Sequence, residues 1–163
     1  MSQPIELLSP KAISHRLHAS VSELRTLRRR GRFPEPDARI GRRYGWSPER
    51  IDRYAVETLG WERPADYPDY EDTGTVAGVP EWWLTPPKRY IGLAELAEAS
   101  VLSTAAVWSH YYNGKLPSPD VTIGHRNRVA GWTPARAKAL AREQGWRLDL
   151  ARLEDTSDLG DEL

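Results

Sequence analysis

The sequence predicts a mainly α fold with small β-hairpin wings, built twice in one chain, and three observations carry that expectation. The stretch from Gly31 to Trp46 returns 83 residues downstream: Gly31, Pro34, Pro36-Asp37, Ile40-Gly41 and an Arg are matched by Gly114, Pro117, Pro119-Asp120, Ile123-Gly124 and an Arg. Both copies then reach a Gly-Trp pair and a helix start, Gly45-Trp46-Ser47-Pro48 in one and Gly131-Trp132-Thr133-Pro134 in the other. Upstream of each copy, apolar residues recur at helical spacing behind a Ser that fits an N-cap.

The repeated stretch has a direct physical reading. A Gly after an apolar-periodic segment ends a helix by taking the left-handed conformation at C′. Two prolines then hold the chain extended. Ala38, Arg39 and Ile40, followed past Gly41 by Arg42, Arg43 and Tyr44, predict a two-stranded hairpin with a basic tip. Ser47 and Thr133, each followed by Pro, are N-caps with Pro at the first helical position.

Before the first copy, Ile13 and Leu17 predict an amphipathic helix over 10–17, with His18-Ala19 as a turn. Ser20 and Glu23 have the spacing of a capping box, so a second helix runs to Arg30 with Val21, Leu24 and Leu27 inward and Ser22, Arg25, Thr26 and Arg29 outward. Two helices joined by a three-residue turn, the second carrying short polar and Arg side chains, make a helix-turn-helix, and the hairpin becomes its wing. A helix over 48–59 closes the module at Gly60-Trp61. Leu93, Leu96 and Ala97 start the same order again from Tyr90; Ser103 caps a helix with Val107, His110 and Tyr111 inward, and the closing helix spans 134–144 before Gly145-Trp146. The second wing is three residues longer. The expected division is an N-terminal arm (1–8), two tandem winged helix-turn-helix modules (9–61 and 89–153), an acidic Pro-rich linker between them (62–88) and an acidic, disordered tail (154–163). Trp82 and Trp83 in the linker are expected to pack onto a module, because exposed paired indoles are costly.

Composition narrows the function. There is no Cys, so disulfides and thiolate metal sites are excluded. No apolar run reaches membrane-spanning length and the first eight residues have no signal-peptide pattern, which predicts a cytoplasmic, nucleoid-associated chain without membrane contact. The formal net charge of zero hides a pattern. Residues 9–61 carry twelve Lys/Arg against six Asp/Glu and residues 89–153 nine against five, whereas 62–88 and 154–163 are acidic. Basic modules beside acidic segments are the layout of a nucleic-acid binder whose non-specific attraction is damped by its own acids. No nucleophile elbow, phosphate loop or metal-ligand spacing organises the polar residues, so no enzyme activity, metal or cofactor is expected.

The first module resembles the winged helix-turn-helix group that includes AlpA-type prophage regulators, phage excisionases and the DNA-binding domains of MerR-type regulators. Ser20, Leu24, Arg25, Gly31, Phe33, Pro34, Pro36, Gly41, Arg42, Arg43 and Trp46 carry the resemblance, which extends over about two thirds of the chain. It implies double-stranded DNA binding, with the helix over 20–30 in the major groove and the wing on the backbone or in the minor groove. The candidate contacts are Ser22, Arg25, Thr26 and Arg29 on the first recognition helix and Arg42, Arg43 and Tyr44 on its wing. In the second module they are Thr104, Ala105, Trp108, Ser109 and Lys115, with His125, Arg126, Asn127 and Arg128 on the wing. That module departs from the family: Ala105, Ala106 and Trp108 stand where Ser22, Glu23 and Arg25 stand in the first, so it lacks side chains that read base edges.

The leading expectation is a sequence-specific regulator, repressor-like or serving a mobile element. Two others stay open: an architectural factor such as an excisionase or partition adaptor, and a protein-interaction module without DNA binding. Self-association, or a recombinase, polymerase or partition partner, accompanies these readings.

Overall fold

The computed structural model describes residues 3–124 and 128–149. His125, Arg126, Asn127 and the tail 154–163 lie outside these. The elements run β1 (Ile5–Leu7), α1 (Pro10–Leu17), α2 (Val21–Arg29), β2 (Ala38–Ile40), β3 (Arg43–Gly45), α3 (Pro48–Glu57), β4 (Thr75–Val76), β5 (Val79–Pro80), a 3-10 turn (Glu81–Leu84), β6 (Lys88–Gly92), α4 (Leu93–Ser100), α5 (Thr104–Tyr112), β7 (Val121–Ile123), β8 (Val129–Trp132) and α6 (Pro134–Gln144). Helices and turns sit where their caps require them. Ser9, Ser20, Ser47, Ser103 and Thr133 each accept a backbone N–H of the first helical turn through their hydroxyls.

The fold class differs from the expectation. The chain is not mainly α with small hairpin wings; the described residues are 41% helix and 19% strand, with a six-stranded mixed sheet, nearly closed and barrel-like, at their centre. The strand order is β1-β7-β8-β6-β2-β3, and Leu8 and Trp46 exchange backbone hydrogen bonds of 2.7 and 3.0 Å that bring β3 back to β1. The hairpins β2-β3 and β7-β8 exist, but each is walled in by a strand from the other module. β1 pairs in parallel with β7, and β6 pairs in parallel with β2. The exchange is reciprocal in detail: Ile5 N–H donates to Asp120 C=O and Lys88 N–H to Asp37 C=O, both at 3.0 Å.

The reason lies in satisfying strand edges. A two-stranded hairpin leaves its outer N–H and C=O groups unpaired, and a small module buries too little surface to stand alone. Exchanging first strands covers both hairpins and creates a third core between the modules, made of Leu7, Ala38, Ile40, Tyr90, Val121 and Ile123. The backbone must approach closely there. A Cβ on Gly45 would lie 2.8 Å from Ile123 Cγ1 and 2.9 Å from Leu7 Cβ, and one on Gly131 would lie 2.8 Å from Ile40 Cδ1.

The other two cores belong to the modules. Ile13, Leu17, Leu24, Phe33, Trp46, Ile51 and Tyr54 form the first, which Trp83 of the 3-10 turn joins. Leu93, Leu96, Val107, Leu116, Trp132 and Leu140 form the second. The Pro-x-Pro-Asp turn is a framework device in both. Trp46 Nε1–H donates to Pro34 C=O at 2.9 Å and Trp132 Nε1–H to Pro117 C=O at 3.2 Å. Asp37 accepts Ser47 N–H at 2.6 Å and pairs with Arg50; Asp120 accepts Thr133 N–H at 2.9 Å and pairs with Arg136. Among the described residues no helix is long and apolar enough to cross a membrane.

Candidate nucleic-acid interface

Helix α2 is positioned by its ends and by its inner face. His18 takes a left-handed conformation (φ 56°) between α1 and α2, the Ser14 hydroxyl bonds Ala19 C=O, and Ser20 accepts Glu23 N–H at 3.1 Å. Among the described residues no bond returns from the exposed Glu23 carboxylate to Ser20 N–H, so half of the expected capping box forms. Gly31, at φ +67°, stops the helix, and Arg32 N–H closes it on Leu27 C=O at 2.8 Å. Leu24 is buried, and Arg28 turns inward, its guanidinium 4.2 Å from the Tyr44 ring centroid and 3.5 Å from Glu35. That contact lays α2 alongside the β2-β3 hairpin.

The opposite face of α2 carries the predicted set. Ser22, Arg25 and Arg29 are exposed. Thr26 is half-buried and donates its hydroxyl hydrogen to Ser22 C=O at 3.0 Å, leaving it an acceptor. Arg30 and Arg32, at and just past the helix end, are exposed cations as well, visible in the sequence as part of the run from Arg28 to Arg32. On the hairpin, Arg42 and Arg43 are exposed, and the tip lies against the start of α4, where a Cβ on Gly41 would be 3.5 Å from Glu95 Oε1. Tyr44 is 6% exposed beneath Arg28, so it holds the hairpin to the helix and offers no surface to a ligand.

Charge pairing separates this face from the rest of module 1. Arg16 grips Asp52 with two bonds of 2.8 and 2.9 Å, Arg50 pairs with Asp37 at 3.3 Å and Arg53 with Glu57 at 2.7 Å. Among the described residues Arg25, Arg29, Arg30, Arg32 and Arg43 have no acidic partner. Such uncompensated guanidinium forks can meet phosphate oxygens or the paired acceptors of guanine.

The same place in module 2 is chemically different. Trp108 and Tyr112 stand where Arg25 and Arg29 stand, and their rings stack at 5.4 Å and 23°. Thr104, Ala105 and Ser109 are exposed, and Ser109 accepts from Asn113 Nδ2 at 3.2 Å. Tyr111 meets Trp132 edge-on at 5.9 Å, and burial pushes its hydroxyl above the usual phenol range while Arg128 pulls the other way. Lys115 is exposed, but Arg128 is tied to Glu6 of β1 at 3.1 Å. The structure therefore gathers Ser22, Arg25, Thr26 and Arg29 on one face of α2, leaves Arg43 exposed on the hairpin, and places a mostly uncharged, aromatic face on α5. Comparison of the chain with protein-family models, with curated proteins and with solved structures finds no match.

Proposed function

We propose that the protein binds double-stranded DNA sequence-specifically as a transcriptional regulator, repressor-like or serving a mobile element, and acts in the cytoplasm on the nucleoid. The single observation that supports this reading is the set of arginines on and beyond the outer face of α2 without acidic partners, in a module whose other helices have theirs neutralised. In this reading α2 enters the major groove with Arg25 on base edges, while Arg43 and the arginines past the helix end hold phosphates. Helix α5 has no comparable fork, so its share of the site is weakly specified.

Selecting binding sites from a pool of random duplexes with the intact protein, and footprinting the winners, tests the reading. A consensus with one strongly specified half is the expected outcome. Recovery of no consensus, with binding abolished by unrelated competitor DNA, would remove it.

A further inference from the structure

Each module has a groove between its Pro-x-Pro-Asp turn and its closing helix, and among the described residues only one of the two grooves is filled. In module 1 the 3-10 turn Glu81–Leu84 lies in it. Glu35 N–H donates to Trp83 C=O at 2.8 Å, and the Arg50 guanidinium donates to the carbonyls of Glu35 and Trp82 at 2.8 and 3.3 Å. Trp83, 5% exposed, packs on Tyr54 with ring centroids 5.7 Å apart, and Arg53 lies 4.5 Å from the Trp82 ring.

The repeat puts Ser118 in the place of Glu35, Arg136 in that of Arg50 and Leu116 in that of Phe33. In module 2 these residues line an open cleft of about 790 Å³. Among the described residues Ser118 N–H has no partner, and Arg136 bonds Asp120 at 2.6 Å. Arg136 holds Asp120 through Nη1, whereas Arg50 holds Asp37 through Nε and keeps Nη1 for its two carbonyls, so a peptide carbonyl would meet the guanidinium N–H groups of Arg136 that Asp120 leaves over.

We propose that this cleft docks a short aromatic peptide of a partner protein, held as module 1 holds its own Glu-Trp-Trp-Leu turn. The Ser118 N–H is in place for one carbonyl, and the Arg136 guanidinium lines the same cleft for a second. Leu116 replaces Phe33 in the lining, and Leu140 replaces Tyr54 deeper in the core, each smaller than the ring it replaces. The volume falls in the range of small ligand pockets, roughly 300–1,000 Å³. A second copy's turn is the poorer occupant, because it would have to withdraw a buried Trp83 from its own module.

The test titrates the intact, isotope-labelled protein with a synthetic peptide of residues 79–86, following amide resonances, beside a control peptide with both tryptophans replaced by alanine. Saturable shifts at Gly114, Lys115, Ser118 and Arg136 are expected. Affinity should fall at least tenfold in Ser118→Pro, which removes the N–H between two prolines, and several-fold in Arg136→Lys, which keeps the charge and loses the fork. Absence of shifts at millimolar peptide, or equal binding of the alanine control, would overturn the proposal. So would shifts confined to Glu35 and Arg50, which would mean exchange with the resident turn, or release of residues 150–163 on peptide addition, which would make the chain its own occupant.

Discussion

Trp46 and Trp132 occupy one place in the two modules, both fully buried, each with its indole N–H on the carbonyl of a Pro-x-Pro turn. Arg25 and Trp108 also occupy one place, on the second helix of each module, and share no chemistry. The contrast separates framework from surface. Residues that the reciprocal sheet needs are the same or similar in both copies: Asp37 and Asp120 at the helix caps, Ile40 and Ile123 in the shared core, Gly45 and Gly131 where backbone meets side chain. Residues that face outward from α2 and α5 differ, arginines on one and stacked aromatics on the other, and among the described residues the groove beside the closing helix is filled in one module and open in the other.

The largest effects should come from breaking what the modules share. Trp46→Ala and Trp132→Ala should each cost about 3–5 kcal/mol, since each empties a core position and orphans a proline carbonyl. Because the exchanged strands make one sheet, denaturant melts followed by circular dichroism should show one transition in both variants. Melting of module 2 alone in Trp132→Ala, with module 1 intact, would mean that the modules are independent.

Gly45→Ala and Gly131→Ala should be next, at about 1–3 kcal/mol each, from overpacking in a close-packed interior. Their new methyl groups meet side chains of the opposite module, Ile123 in one case and Ile40 in the other. Shortening the opposed residue, in Gly131→Ala with Ile40→Val, should recover part of the loss, read as a coupling in a double-mutant cycle. Additive losses would place the two side chains out of contact.

Smaller again is the hairpin's share of the proposed DNA binding. Arg43→Ala should weaken all duplexes alike and lower the slope of log affinity against log salt by about one, the counterion released by one phosphate. An unchanged slope would leave Arg43 in solvent.

Much of the local structure was legible in the sequence because local rules govern it. Ser20, Ser47, Ser103 and Thr133 mark helix starts, Gly31 and Gly114 mark stops, and α1 and α6 have the predicted bounds. The barrel was not legible. β1 falls in the stretch read as an arm and β6 begins at the end of the linker; both are short, and their parallel partners lie far along the chain, at β7 and β2. Neither alternation nor turn chemistry reports such a pairing. Within the candidate site the outward register of α2 followed from its helical period, whereas the burial of Tyr44 under Arg28 depended on how the hairpin packs against the helix. The packing of Trp83 was anticipated on cost alone; which module takes it was set by Glu35 and Arg50.

The central claim, that α2 reads DNA and α5 reads little, is tested most directly by repeating the random-duplex selection with two single variants, Arg25→Ala and Trp108→Ala, and comparing their consensus sequences with that of the intact protein. Arg25→Ala should lose preference at one or two positions of the strong half, worth about 1–3 kcal/mol of discrimination for a bidentate arginine–guanine contact. Trp108→Ala should leave that half unchanged. An unaltered consensus from Arg25→Ala in a protein that still melts like the parent, or loss of the strong half from Trp108→Ala, would contradict the account.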